Sequence, residues 1–155
     1  MHRDFVDTPV GRLCVESDGD ALVSIWIGAS ADSPVDPDRL THEAVAQLAA
    51  WFAGERRIFD LPLAAPGTPR GDAHREAIAA ISYGDTASYG QLARQLGSSP
   101  RAVGQACRRN PFPIVIPCHR VLAAGGMIGH YSGGQGIVTK QWLLDHERRK
   151  GTPHG

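Results

Sequence analysis

The sequence contains only three cysteines, Cys14, Cys107 and Cys118, among its 155 residues. Their number is odd and no two are spaced as C-x-x-C, so we expect neither a disulfide framework nor a zinc site. The sequence also has no run of about 18 apolar residues, and Met1 leads directly into a strand-like pattern, so we expect no membrane span and no signal peptide. These absences favour a protein of the reducing cytoplasm that needs no metal and no cofactor.

Acidic residues are missing from positions 86–144 altogether. Residues 1–85 carry seven basic and fourteen acidic side chains, whereas residues 86–155 carry nine and two, so a net charge of zero conceals a polarised chain. An acid-free basic stretch predicts a polyanionic partner or an electric field that favours a thiolate. The alternative is that the two halves pair with each other across a domain joint. The basic residues of the stretch are Arg94, Arg101, Arg108, Arg109, Arg120 and Lys140.

A chain of this length with 42% hydrophobic residues can bury one core or two small ones. Residues 1–63 predict a small α/β domain, with a hairpin of strands near Phe5 and Leu13 and a further strand at 22–27. A helix should follow, with Asp36 as its N-cap, Pro37 as its first residue and its end at residue 54. Residues 58–61 are predicted to return as a strand. Trp26 and Trp51 are expected in the core.

Residues 64–69 predict a linker, and residues 70–150 a second domain, followed by a tail at 151–155. A short helix is expected at 74–81, and then a helix-turn-helix. Its first helix is indicated by the capping box of Ser88 and Gln91 and should end at Gly97. Its second should begin at Ser99-Pro100 and run to residue 110. A last amphipathic helix is predicted at 142–147, with fraying from residue 148.

Cys118 follows an apolar run, 114–116, that Pro117 stops, so its thiol should lie on a turn at the rim of a buried segment. His119 adjoins it, Asn110 precedes it by eight residues, and Glu147 lies in the last helical pattern, which makes a nucleophile, a base and an orienting group available. Each has a plainer interpretation as well: an inert buried thiol, a core histidine, a helix C-cap and a solvated carboxylate. Cys14 and Cys107 are interpreted as structural.

An ordered set of short motifs resembles the O6-alkylguanine-DNA alkyltransferases, also called methylated-DNA–protein-cysteine methyltransferases. The likeness spans nearly the whole chain and is densest from residue 89 to residue 147. The matching residues are Thr8-Pro9, Gly11 and Leu13; Ser88-Tyr89; Leu92-Ala93; Arg101-Ala102-Val103-Gly104; Asn110-Pro111; Pro113-Ile114; Ile116-Pro117-Cys118-His119-Arg120-Val121; Gly129; Tyr131-Ser132-Gly133-Gly134; Lys140; Trp142-Leu143-Leu144; and Glu147.

The resemblance implies a ribonuclease-H-like α/β domain followed by a winged-helix-like helix-turn-helix domain. It implies a monomer that flips O6-alkylguanine out of double-stranded DNA through the minor groove and moves the alkyl group irreversibly to Cys118 in a single turnover. His119 would be the base, acting through water; Glu147 would orient it, and Asn110 would brace the active-site turn. Arg101 would fill the space of the flipped base. The implied DNA contacts are Tyr89, Arg94, Arg101, Ala102, Gly104, Arg108, Arg109 and Arg120, and the implied pocket is Tyr89, Pro113, Val121, Tyr131 and Ser132.

Two other functions stay open at this point. A thiol hydrolase would use the same Cys-His-Glu set over many turnovers, although Pro117 removes a backbone donor where an oxyanion loop is expected. A non-catalytic helix-turn-helix protein that binds damaged or regulatory DNA would not need the thiol. The small residues Ala102 and Gly104 fit a close approach to a groove, and they fit packing against another helix equally well.

Overall fold

The computed structural model describes residues 1–29 and 33–151. The chain divides into two compact units, Met1–Ala64 and Ala65–Gly155. Among the described residues, no helix is both long and apolar enough to cross a membrane. The described part of the chain likewise holds no cluster of three or more histidine, cysteine or acidic side chains placed to bind a metal ion.

The first unit is an antiparallel sheet in the order β1 (His2–Thr8), β2 (Gly11–Ser17) and β3 (Leu22–Ile27), contacted by helix α1 (Arg39–Phe52). Gly11 has φ +113°, a left-handed backbone conformation that lets the hairpin turn tightly. Alternate strand residues face the core: Ile25 is buried, whereas Trp26, expected in the core, is 49% exposed. Trp51 is fully buried as predicted.

Two further expectations for this unit are wrong. The N-cap of α1 is Asp38 rather than Asp36, because Thr41 lies three residues after it and completes a reciprocal capping box. Residues 58–61 form no strand; the isolated bridge nearby lies beyond this segment, between Leu63 and Leu22. The side chain of Gln47 donates to the Asp60 carbonyl and accepts from its N–H, so these main-chain groups bond to a side chain instead of a strand.

In the second unit, the residues that the structure describes form four α-helices and a short parallel pair of strands. Helix α2 (Pro69–Ala79) begins five residues earlier than predicted, because Thr68 caps it and Pro69 is its first residue. Strand β4 (Ala87–Ser88) leads into α3 (Tyr89–Leu96), which is followed by α4 (Pro100–Arg108). Strand β5 (Val121–Leu122) pairs with β4, and α5 (Ile137–Gly151) is longer at both ends than predicted. The rest of the predicted tail, 152–155, lies outside the described residues.

The helix-turn-helix has the predicted caps. Ser88 accepts from Gln91 N–H while the Gln91 side chain accepts from Ser88 N–H, and Ser99 caps α4 through Ala102 N–H. Gly97 ends α3 in the left-handed conformation, φ +61°. Because α3 begins directly after β4, the pairing of β4 with β5 brings the start of α3 beside the segment that follows Cys118.

Candidate active site

The turn before Cys118 is braced by Asn110. Asn110 Nδ2 donates to the Ile116 carbonyl at 2.9 Å and to Cys118 Sγ at 3.3 Å, and its Oδ1 accepts from Phe112 N–H at 2.9 Å. Ile114 has φ +76°, a conformation that is costly for a β-branched side chain and that the surrounding bonds must hold. Asn110 is therefore a brace and a contact of the thiol. The interpretation of Asn110 as a simple C-cap is wrong, since Arg109 is the C-cap of α4.

Cys118 begins a short 3₁₀ helix, Cys118–Arg120, and only 4% of its surface is exposed. Its own N–H donates to the Ile116 carbonyl at 2.8 Å. Interaction with the thiol of Cys107 raises the pKa of Cys118 well above its ordinary value; burial adds to the rise, and Asn110 and Lys140 oppose it. The resting nucleophile is thus a protonated thiol that needs a base.

The base is available in a buried network. His119 is fully buried, and its Nε2 lies 2.7 Å from Glu147 Oε2. Arg120 donates to the same carboxylate through Nε and Nη2, the latter at 2.7 Å, and to the Ile81 carbonyl through Nη1 at 2.6 Å. Gly84 N–H also donates to Glu147, at 3.3 Å. A buried carboxylate is costly unless it is paired and bonded, and these partners satisfy it.

The network sets the charges of its members. Burial lowers the pKa of His119, against the raising effect of Glu147, so the imidazole is neutral and able to accept a proton. Burial alone would raise the pKa of Glu147, but hydrogen bonds from His119 and Arg120 lower it to about 2. A carboxylate that stays ionised fixes the Nε2–H tautomer of His119 and places the ring's basic lone pair on Nδ1.

A cavity of about 300 Å³ opens onto Cys118. Tyr89, Tyr131 and Ser132 line it as predicted. Burial raises the pKa of Tyr89 to about 12, so its hydroxyl is a neutral donor. Val121 and Pro113 are not among the described residues that line the cavity; Val121 is fully buried and its carbonyl accepts from Lys140. The full lining is Tyr89, Pro100, Arg101, Gly104, Cys107, Arg108, Cys118, Ala123, Gly129, His130, Tyr131 and Ser132.

One face of α4 forms the other side of the cavity. Arg101, Gly104 and Arg108 lie on it, and both arginines are exposed. A Cβ added at Gly104 would meet no described atom within 4 Å, so this glycine faces open space rather than a neighbouring helix. Ala102 is half-buried beside it, and Arg94 and Arg109 are exposed. The arrangement fits the expectation of a small-residue surface flanked by cations.

Arg120 does not fit its expected role in DNA binding. It is only 6% exposed, and its guanidinium is committed to Glu147 and to the Ile81 carbonyl. A buried arginine bonded in this way orients the carboxylate and leaves the phosphate contacts to other cations. The prediction of a phosphate contact was wrong because sequence cannot distinguish an exposed arginine from one paired inside the core.

Three residues near the thiol were not assigned a role from sequence. Lys140 is fully buried and donates to the carbonyls of Val121 and His130, which ties β5 to the cavity wall. A Cβ on Gly129 would come within 3.0 Å of the Tyr89 ring, so the glycine makes room for that ring. Cys107, interpreted as structural, lines the cavity; its helical spacing of three from Gly104 and six from Arg101 was the available signal.

The fold and the site together define a class: a two-unit protein whose buried thiol, with a histidine–glutamate pair beside it, lines a cavity edged by a helix-turn-helix. Two family models cover the chain, the 6-O-methylguanine DNA methyltransferase ribonuclease-like domain at residues 1–65 and the DNA binding domain of the same name at residues 72–149. The chain therefore belongs to the 6-O-methylguanine DNA methyltransferase family, and the resemblance and the fold class expected from sequence are confirmed.

Individual relatives agree. The chain is 37% identical to a methylated-DNA–protein-cysteine methyltransferase of Methanosarcina acetivorans, over 95% of this chain and 98% of that one. It is 35% identical to the constitutive enzyme of that name from Bacillus subtilis, over 92% of each. Among solved structures, it is similar to Mycobacterium tuberculosis OGT in complex with DNA, with a TM-score of 0.84 and 38% identity, over 97% of this chain and 94% of that one.

Proposed function

We propose that this chain repairs DNA by accepting the alkyl group of O6-alkylguanine on Cys118. The observation that carries the proposal is the position of Cys118: its Sγ accepts a hydrogen bond from Asn110, it lines the cavity, and it adjoins the His119–Glu147 pair. An ether carbon is a poor electrophile, so the attacking group must be a soft anion, and a thiolate meets that requirement.

The proton has a defined route. His119 Nδ1 takes the Cys118 proton through a water molecule, and the imidazolium that forms is stabilised by Glu147, 2.7 Å from Nε2. The thiolate then attacks the alkyl carbon: the S–C bond forms, the C–O6 bond breaks and its electron pair goes to the guanine. The guanine takes up a proton at N1, so the net change is a thioether and a normal base.

The guanine must leave the helix to reach this thiol. Only 4% of Cys118 is exposed, in the lining of a cavity, whereas the reacting carbon of a stacked guanine lies inside the duplex. We propose that α4 lies in the minor groove with its Gly104 surface inward, and that Arg101 occupies the space that the flipped base vacates. Tyr89, Tyr131 and Ser132 then hold the base.

The alkylated protein reacts only once. The C–S bond of the thioether carries no carbonyl group and no positive charge that would activate it, so water does not displace the cysteine sulfur. The turn also lacks donors for an oxyanion, since the backbone N–H of Cys118 is already bonded to the Ile116 carbonyl. Pro117 has no N–H to offer. The same two facts argue against the thiol hydrolase, which needs such donors as an oxyanion hole.

The experiment incubates the protein with duplex DNA that contains one O6-methylguanine and maps the product by peptide mass. We expect one added methyl group on the peptide that contains Cys118, no turnover beyond one equivalent, and no transfer by Cys118→Ala. The Cys14→Ser variant should transfer normally. Folded protein that binds the duplex but gains no methyl group would support the non-catalytic binder, and repeated turnover would support the hydrolase.

The proposal also covers the oligomeric state of the protein, its cellular location and its need for cofactors. We propose that the protein acts as a monomer in the cytoplasm, associated with the nucleoid when bound to DNA. The acid-free stretch at 86–144 supports a polyanionic partner. The chemistry requires neither a metal nor a cofactor, since the thiol supplies the nucleophile and guanine is the leaving group.

A further inference from the structure

The cavity contains a second thiol that the alkyl transfer does not use. Cys107 lies in the last turn of α4, on the face that carries Arg101 and Gly104, and it is half-buried where Cys118 is almost fully buried. Both cysteines line the same cavity, and neither is in a disulfide. A small molecule that enters the cavity therefore meets both sulfur atoms.

The two thiols are direct neighbours. Their mutual interaction lowers the pKa of Cys107 while that of Cys118 is raised, so Cys107 is the thiol of the pair that ionises more readily. Lys140 and Arg108 also favour the Cys107 thiolate. A partly exposed thiolate beside a second thiol is the arrangement found at reversible oxidation sites, where the neighbour resolves the first oxidation product.

We propose that Cys107 and Cys118 form a site of reversible oxidation, joined by a disulfide when a hydroperoxide enters the cavity. The inference goes beyond alkyl transfer, which needs Cys118 alone. In the first step the Cys107 thiolate attacks one peroxide oxygen: the S–O bond forms and the O–O bond breaks, which leaves Cys107 as a sulfenic acid. The hydroxide or alkoxide that departs takes a proton from solvent and becomes water or an alcohol. In the second step the Cys118 sulfur attacks the sulfenic sulfur, the S–S bond forms and the S–O bond breaks, and water leaves with the thiol proton.

The disulfide has two consequences for the protein. It removes the alkyl acceptor for as long as it persists, because Cys118 has no thiolate to offer. It also keeps Cys118 from sulfinic and sulfonic acids, which thiol reductants do not reverse. Since each chain accepts one alkyl group, a reversible block preserves a chain that irreversible oxidation would waste.

The chain provides suitable controls. Cys14 is the third cysteine, only 2% exposed and located in the first unit, so Cys14→Ser removes a thiol without touching the cavity. Trypsin separates the proposed partners: Cys107 falls in the peptide 102–108 and Cys118 in the peptide 110–120. A disulfide between them is therefore seen directly as a linked pair of peptides.

The experiment treats the folded full-length protein with hydrogen peroxide, blocks free thiols with N-ethylmaleimide, digests it without reductant and maps its peptides. We expect the parent and Cys14→Ser to yield linked 102–108 and 110–120, and Cys107→Ser and Cys118→Ser to yield none. Methyl transfer by the parent should fall after peroxide and recover with a thiol reductant. In Cys107→Ser, compared with its own untreated activity, the reductant should restore a smaller fraction than in the parent, because no neighbouring thiol stops the oxidation of Cys118 at a reversible stage.

Three results would overturn the proposal: no linked peptides from parent protein that transferred methyl groups before treatment, linkage through Cys14 or between chains, or equal recovery in Cys107→Ser and the parent. Methyl transfer by the untreated parent protein tests the proposed function independently of the disulfide. Failure of the disulfide is thereby distinguished from failure of the proposed function.

Discussion

At the scale of single residues, the ionisation of the Cys118 thiol depends on the side-chain amide of Asn110. Asn110 donates to Cys118 Sγ at 3.3 Å and lowers the pKa that Cys107 and burial raise. Its loss in Asn110→Ala should raise the pKa of Cys118 further, because the thiolate loses a donor. The thiolate fraction at any given pH then falls, and the pH profile of the transfer rate moves to higher pH.

The expected loss in Asn110→Ala is about tenfold or more at neutral pH, since a hydrogen bond to a charged group contributes roughly 1.5–3 kcal/mol. Single-turnover rates on methylated duplex from pH 6 to about 9 measure it. Gln95→Ala, an exposed amide on α3, is the matched control. An unchanged profile in Asn110→Ala would show that the bond to sulfur does not affect ionisation.

The sequence predicted which residues meet at the thiol, but it did not predict which of the residues around them are buried or paired. The motifs identified the four residues that the structure brings together, which are Asn110, Cys118, His119 and Glu147. The surroundings of Arg120 and Cys107 were not predicted, since the partners of both come from distant segments: Arg120 pairs with Glu147 in α5, and Cys107 in α4 meets the turn at Cys118. Burial and tertiary pairing of this kind leave no periodic signal in a single sequence.

At the scale of elements, α4 allows helix stability to be separated from docking. Gly104→Ala adds a methyl group where no described atom lies within 4 Å. We expect the free protein to gain about 0.5–1 kcal/mol in unfolding free energy, because alanine is the better helix former. If α4 enters the groove as proposed, affinity for duplex DNA should fall at the same time.

Denaturant unfolding and a duplex titration measure the two effects of Gly104→Ala. Gln105→Ala, on the same helix but away from the cavity lining, should leave DNA affinity unchanged. A Gly104→Ala protein that is both more stable and equally tight on DNA would place the groove contact elsewhere.

Arg101 at the start of α4 should matter for duplex repair far more than for the thiol itself. Without the filler side chain the flipped state loses stabilisation, and unstacking a base costs a few kcal/mol. Arg101→Ala should therefore slow the reaction with O6-methylguanine duplex by about tenfold or more while leaving the reaction with free O6-benzylguanine near the parent rate. Arg39→Ala removes an exposed cation from the first unit and serves as control. Equal losses of rate on the duplex and on the free base would show that Arg101 does not fill the space of the flipped base.

Elements were predictable where a local signal decides them. The capping boxes of α1 and α3 and the Ser99-Pro100 start of α4 are all made by neighbours in sequence, although Asp36 was predicted as the cap of α1 in place of Asp38. The strand expected at 58–61 failed for the opposite reason. The N–H and carbonyl of Asp60 both bond to the side chain of Gln47, which lies thirteen residues earlier in the chain. Strand propensity cannot reveal such bonds.

At the scale of the whole molecule, charge is divided between the units. The acid-free stretch lies entirely in the second unit, and Arg94, Arg108 and Arg109 are exposed there. DNA binding should therefore be independent of sequence and should weaken steeply with salt. Arg108→Ala and Arg109→Ala should each reduce the slope of log K against log salt by about one.

Titrations of an undamaged duplex between low and moderate salt measure these slopes. Arg39→Ala, which removes a charge from the first unit, should leave the slope as it is in the parent. Strong preference for one undamaged sequence, or a slope insensitive to Arg108 and Arg109, would contradict phosphate-dominated binding.

The backbone at Cys118 has a consequence for the cell as well as for the site. Its N–H is tied to the Ile116 carbonyl and Pro117 has none, so the turn offers no oxyanion hole, and the C–S bond of an alkylated Cys118 is not activated for attack by water. The protein is therefore consumed as a reagent. The number of lesions that a cell can reverse before new synthesis equals its stock of chains with a reduced, unalkylated Cys118, and abundance rather than catalytic rate sets that limit.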